Sequence, residues 1–240
     1  MAQALLRARP ERPARKSRYS RGMQYPGMHP SQVARVLAAA RESAMADPSV
    51  VYPRWYLRRL HRMPEGYLSA GAPGRYERTI ERLYNAFRAD YVAQTLANEI
   101  LDERPATVLE VGCGAGRLLE AIADADRSVA HTGVDLSPFM LEAARRRVAD
   151  AELIHADIAL MDLGRTFDAI AAVHVFEHGP ASWGYQAIER AAAHLSPGGT
   201  LHVVRHAWHR LRTPPGMLPV SKRRLLGGLL VHQRLGRPIE

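Results

Sequence analysis

The sequence predicts an α/β fold: a doubly wound, mostly parallel sheet with helices on both faces. Three observations carry that expectation. Short apolar runs alternate with helical patterns from residue 107 to residue 204, as in successive β-α-β units. The first run, Thr107–Val111, leads into glycines at every second position (Gly112, Gly114, Gly116), and a helical pattern then opens at Leu118, Leu119 and Ile122. Asp135 and Asp157 each end a later apolar run, and ligands of open parallel sheets bind beyond the carboxyl ends of the strands.

Taken in order, residues 1–22 carry seven Lys/Arg against Glu11 and have little to bury, so a disordered basic arm is expected there. Residues 23–104 read as a helical N-terminal cap region. Ser31 precedes Val33, Val36 and Leu37 at helical spacing, and Asp47-Pro48 closes that helix. Trp55, Tyr56, Leu57 and Leu60 lie among Arg54, Arg58, Arg59 and Arg62, which predicts a short helix with a basic side. From Arg75 one long amphipathic pattern runs through Ile80, Leu83, Tyr84, Phe87, Tyr91 and Leu96 to Ile100.

The core spans residues 105–204. After the glycine turn and its helix, His131–Val134 predicts a second strand. Ser137-Pro138 then starts a helix, with serine as the cap and proline in its first turn. Leu153–Ala156 and Phe167–Val173 predict two more strands, Tyr185–Leu195 a helix, and Thr200–Val204 a fifth strand. Residues 205–240 read as a basic C-terminal extension in which Leu229–Gln233 is the one plausible strand. The expectation is an abbreviated sheet, with the fifth strand left as an edge that needs covering.

Composition narrows the classes. The chain of 240 residues, 47% hydrophobic, can bury a sizeable core. A single cysteine, Cys113, excludes an intramolecular disulfide and suits a cytoplasmic setting. The longest central apolar run, Ala169–Val173, stops at His174, so no membrane span is expected. The net charge of +9 divides into +6 over residues 1–22, +7 over 205–240 and −4 between them. Basic ends on a mildly acidic core weaken a nucleic-acid reading without removing it.

The run Glu110-x-Gly112-x-Gly114-x-Gly116 resembles motif I of the class I S-adenosylmethionine-dependent methyltransferases. It differs from the dinucleotide fingerprint, whose third glycine falls one place later. Asp135, Asp157, Phe167-Asp168 and Leu195-Ser-Pro-Gly-Gly199 follow in that family's order. The resemblance implies an S-adenosylmethionine-binding methyltransferase core over 105–204. It places Glu110 and the glycines around the methionine end of the cofactor and Asp135 on the ribose hydroxyls. Asp157 would accept from the adenine amino group, with Leu136 and Ile158 against the ring faces. His174 reads as inward packing or a cofactor contact. Tyr76 and Tyr84 are candidates to line the cap. The family's usual helix and antiparallel pair of strands after the fifth strand have only the 36 residues beyond Val204 to form from. Either the sheet is abbreviated or the chain ends early relative to that family.

Methyl transfer from a sulfonium is an in-line displacement, so positioning dominates and can be worth about 7–11 kcal/mol. A hydroxyl acceptor also needs its proton removed. His178, in Val173-His-Val-Phe-Glu-His178, resembles the histidine near the acceptor in small-molecule relatives, and is equally a candidate for structural support of the cofactor loop. The Asp/Asn-Pro-Pro-aromatic tetrapeptide of base amino-group methylation is absent after the fourth strand, and Cys113 sits inside the glycine turn rather than at a separate nucleophile position. His202, His206 and His209 read as scattered surface histidines, so no metal is expected. The function predicted is methylation of a small molecule, most readily at oxygen, with Trp183 and Tyr185 suggesting a flat or apolar acceptor. Its rivals are methylation of structured RNA through the basic arms and a non-catalytic cofactor-binding partner subunit.

Overall fold

Seven strands form one sheet in the order β3-β2-β1-β4-β5-β7-β6. The computed structural model describes residues 27–59 and 63–239, so the basic arm at 1–22 lies outside the described residues. β1 (Thr107–Val111) pairs in parallel with β2 (Ala130–Asp135) on one side and β4 (Phe167–Val173) on the other. β3 (Glu152–His155) continues outward from β2, and β5 (Leu195–His206) from β4, both parallel. Strand order therefore reverses between β1 and β4, and a crevice opens above that point.

The two-residue period of the strands decides which face each residue serves. Leu109, Val111, Ile170, Ala172, Leu201 and Val203 pack against α7 (Ala181–Ala193) through Ala187, Ile188 and Ala191. Val108, Ala169, Ala171 and Val204 point the other way, onto Leu96 and Ile100 of α4 (Ala89–Leu101) and Leu118 and Ile122 of α5 (Arg117–Ala125). α6 (Pro138–Arg147) begins as expected, Ser137 Oγ accepting from the Met140 amide.

The cap departs from the sequence reading in three places. α1 (Pro30–Glu42) starts at the proline, with the His29 ring, not Ser31, as its cap. Residues 53–58 form turns instead of a basic helix: the Tyr56 amide donates to the Pro53 carbonyl at 2.9 Å. Ring packing overrides helical periodicity there, Trp55 lying against Trp183 and Tyr56 against Tyr67. The long amphipathic run is broken rather than continuous. α2 (Ala72–Arg75) passes into a π-helix (Tyr76–Glu81) and α3 (Arg82–Tyr84), and Ala86 and Phe87 then adopt left-handed backbone (φ 48° and 62°). The break turns the Asn85 side chain into the protein, where it is buried. π-helical segments cluster at functional sites, and this one is tied to the glycine turn. Arg117 pairs with Glu81 (2.7 Å) and Arg147 with Glu77 (2.6 Å), while Arg147 also donates to the Ala115 carbonyl.

The expected abbreviation of the sheet does not occur. Residues 205–240, basic by composition, supply β6 (Leu218–Leu225) and β7 (Leu230–Gly236). β7 pairs antiparallel with β5 along its length, so β5 is an interior strand and β6 is the edge. Seven of the eight residues of β6 are exposed, among them Pro219, Lys222, Arg223 and Arg224. Such a strand protects its edge by charge and proline and has no apolar alternation for a sequence reader to find. The helix that the resemblance places between the fifth strand and the hairpin is absent: residues 207–217 are irregular.

Hydrogen bonds and half-exposed ion pairs fasten the hairpin to α4. His232 lies 2.8 Å from Glu99, His202 3.3 Å from Glu103, and the two rings stack at 5.3 Å. Arg223 and Arg234 pair with the same two glutamates. Burial, then His202, Arg223 and Arg234, pulls His232 down from 6.5 to about 3. An unfolded chain takes up that proton first, so stability should fall as pH drops from about 6.5 towards 3. Urea midpoints at pH 7 and pH 5 should differ in that sense, and His232→Gln should flatten the difference.

Candidate functional site

The crevice above β1 and β4 holds two adjoining cavities that share Tyr76, Gly112, Gly114, Val173 and His174. The glycine turn forms the floor. Gly112, Gly114 and Gly116 all have positive φ (67°, 53° and 80°), which glycine adopts without strain. The spaces around them differ. A Cβ on Gly112 would stand 2.6 Å from Val175 Cγ2, and one on Gly116 3.1 Å from Ala144 Cβ. A Cβ on Gly114 would meet nothing within 4 Å. The outer glycines pack against protein, and the middle one faces open cavity.

Asp135 ends β2 at the cavity wall. Its Oδ2 accepts from the Gly114 amide at 2.9 Å and its Oδ1 from the Ser137 amide at 2.8 Å. Removal from water pushes its carboxyl up to about 6, against the pull of those amides. Leu136 and Ile158 line the same cavity, with Met140 beside them. Glu110 lines the second cavity and is buried, and its Oε2 has no hydrogen-bond partner. Burial and the nearby Asp135 push its carboxyl well above the ordinary range. An orphaned buried acceptor beside an open glycine turn is what a ligand carrying its own donors would complete.

Asp157 is not brought to the cavity wall as the resemblance implied. Its Oδ1 accepts from the Ala159 amide and from Trp183 Nε1 at 2.9 Å. It therefore holds Trp183, whose ring does line the cavity and packs against Trp55 at 4.7 Å. Tyr185 points elsewhere, into the α7 side of the core under Arg212.

His174 and His178 also line the crevice. His174 has φ 55°, uncommon for a residue with a side chain. Its amide donates to the Val204 carbonyl at 2.8 Å, and its ring lies between Glu177 Oε1 (3.3 Å) and Asn85 Oδ1 (3.4 Å). His178 lies half-buried on the cavity wall, near the Tyr67 and Tyr84 rings. Removal from water holds His178 down at about 4, although the Glu177 charge pulls the other way. Burial alone would raise Glu177, but its hydrogen bond with His174 and the neighbouring histidines hold it at about 2. Near neutral pH the pair is an ionised Glu177 beside a neutral His178, able to accept a proton.

Sequence reasoning missed part of this wall. Trp55, Tyr56 and Tyr67 line the cavity with Tyr76, whereas Tyr84 does not line it and packs on His174 and His206. The density of Tyr and Trp over residues 52–67 was the available signal, misread as a basic helix. His202 and His206 are not surface residues: both are buried, because β5 is an interior strand. His174, Glu177 and His206 each bring one donor atom within 4.8 Å of the others, a spacing that one cation could bridge.

Comparison with known proteins shows what the chain is similar to. Residues 108–199 match the family described as a methyltransferase domain. The chain is 34% identical over 170 residues to a dTDP-3-amino-3,6-dideoxy-alpha-D-glucopyranose N,N-dimethyltransferase of Streptomyces fradiae, a match covering 64% of this chain and 63% of that protein. It is 35% identical over 128 residues to a ubiquinone biosynthesis O-methyltransferase of Alkalilimnicola ehrlichii, covering 50% and 47% respectively. These matches therefore span less than two thirds of either relative's length. Among solved structures, the N-methyltransferase NodS of Bradyrhizobium japonicum, in complex with S-adenosylhomocysteine, superposes with a TM-score of 0.53 at 18% identity, over 62% of this chain and 87% of that one. The magnesium protoporphyrin IX methyltransferase of Synechocystis does so at 0.52 and 15%, over 62% and 79%. At that identity the likeness is one of fold. Residues 108–199 are therefore similar to a methyltransferase domain, and the sheet around them has the fold of these solved methyltransferases.

Proposed function

We propose that the protein transfers a methyl group from S-adenosylmethionine to a small-molecule acceptor at oxygen, with His178 as the general base. The observation that carries this is one crevice lined by the glycine turn, Asp135 and a neutral His178 that stands beside an ionised glutamate. The bound cofactor supplies an electrophilic methyl on a sulfonium. Gly114 leaves room for it, Asp135 would accept from its ribose hydroxyls, and Glu110 would offer its orphaned oxygen to the methionine end. Leu136, Met140 and Ile158 supply apolar contact for the adenine. Asp157 acts indirectly, by fixing Trp183 in the wall.

Trp55, Tyr67, Tyr76 and Trp183 exclude water and favour an acceptor with a flat or apolar body. His178 would take the hydroxyl proton as the acceptor oxygen bonds to the methyl carbon and the carbon–sulfur bond breaks, leaving neutral S-adenosylhomocysteine. Glu177, ionised beside His178, would steady the charge that His178 acquires. A second reading, methylation of an amino sugar, draws on the N,N-dimethyltransferase relative. There the neutral amine would attack the methyl and the histidine would take the proton that the methylated amine releases.

The test is a screen of phenols, quinols, carboxylic acids and amino sugars with cofactor labelled in the methyl group. Label on a hydroxyl supports the proposal, and label confined to amines establishes the second reading. Absence of turnover with every class, together with tight S-adenosylhomocysteine binding, would favour a cofactor-binding partner subunit.

A further inference from the structure

The α7-facing side of the sheet is covered by helix over β4 and β5 but not over the hairpin. Register fixes what stands there. Arg205 of β5 is the partner of Val231 in β7, which is in turn the partner of Arg224 in β6. One step along, Val203, Gln233 and Lys222 form the next row. With residues 207–217 irregular instead of helical, this corner remains an open cleft of about 560 Å³. Arg205, His209, Arg210, Lys222, Arg224 and Gln233 line it, and no carboxylate among the described residues does.

Arg205 is the informative member. It is 5% exposed, yet its hydrogen-bond partners are neutral: the carbonyls of His206 and His209, and Gln233 Oε1 at 3.4 Å. Its Nε has no partner at all. A buried cation with neutral partners is costly unless an anion completes it. A guanidinium fork with lysine and further arginines around it suits phosphoryl oxygens, which take several charge-assisted hydrogen bonds at once.

We infer that this cleft is a binding site for the phosphoryl group of a small molecule. It lies across β5 from the histidine cluster: Arg205 faces the α7 side, whereas His206, next in the strand, points to the other face, where its ring is 4.6 Å from that of His174. The phosphoryl group could belong to the acceptor itself or to a separate small phosphate, and both present the same chemistry to Arg205. The positive charge of the C-terminal stretch is thereby concentrated in a pocket rather than spread along a nucleic-acid surface.

Titration calorimetry with inorganic pyrophosphate tests this on the full chain without depending on turnover. Saturable one-to-one binding is expected, at least tenfold weaker in the double variant Lys222→Gln/Arg224→Gln. Both side chains are exposed on the edge strand, so the fold is retained, and unchanged S-adenosylhomocysteine affinity verifies it. A control variant of equal charge change, Arg127→Gln/Arg146→Gln, should leave pyrophosphate binding as in wild type. Tighter binding of a nucleoside diphosphate than of pyrophosphate would mark the phosphoryl group as part of a larger molecule. Equal affinity would mark a free anion, and either supports the site. Three results would overturn it: no saturable binding, equal weakening by both double variants, or tighter binding of single-stranded RNA than of every small phosphate.

Discussion

His178→Ala should lower kcat by about 10²–10⁴-fold, the usual worth of a general base, while binding S-adenosylmethionine about as well as wild type. The expectation rests on position: His178 lines the same crevice as Gly112, Gly114 and Asp135 and packs against the Tyr67 and Tyr84 rings. Its depressed value of about 4 places the acidic limb of kcat/KM for the free enzyme near pH 4, not near the ordinary histidine value. The sign follows from the role. Above that pH the ring is neutral and accepts the proton, and below it the rate falls. The variant should lose the limb along with the rate, so pH profiles of both proteins with one acceptor from the screen check the assignment. A variant that keeps its kcat but binds cofactor poorly would make His178 a support of the cofactor loop.

Asp135→Ala should weaken S-adenosylhomocysteine by at least tenfold. The carboxylate is already oriented by the Gly114 and Ser137 amides, and each charge-assisted hydrogen bond lost from the ribose is worth about 1.5–3 kcal/mol. A pH dependence accompanies it. Enclosure raises the Asp135 carboxyl to about 6, and the protonated form is a poorer acceptor for two hydroxyls. Wild-type affinity should therefore fall as pH drops through about 6, while the alanine variant should show no such fall. Calorimetry at pH 7.5 and pH 5 on the two proteins measures both effects. Equal affinities in a folded variant would remove Asp135 from the ribose site.

How the site was legible follows from how each residue reaches it. Glu110, the three glycines, Asp135, Leu136 and Ile158 lie on or just after strands whose apolar runs are plain in the sequence. A parallel sheet delivers every such carboxyl-end residue to the same rim. His174 and His178 were legible for the same reason, following β4 directly. Asp157 shows the limit. Its place at the end of β3 was readable, but the direction of its side chain depends on Trp183, 26 residues later and on another element.

The sequence by itself determined the parallel core from β1 to β5, the helix-bearing faces and the rim at the carboxyl ends of the strands, because each is encoded by periodicity within a dozen neighbouring residues. Only the tertiary structure decided the rest. The break at Asn85 follows from contacts with His174, 89 residues away. The turns around Trp55 follow from its packing on Trp183. The last two strands carry too little apolar alternation to be seen locally. They form because β5 offers a partner edge and because Glu99 and Glu103 of α4 gather His232, Arg223 and Arg234. Pairing and ion-pair partners so distant in sequence leave no periodic trace in the segments they order.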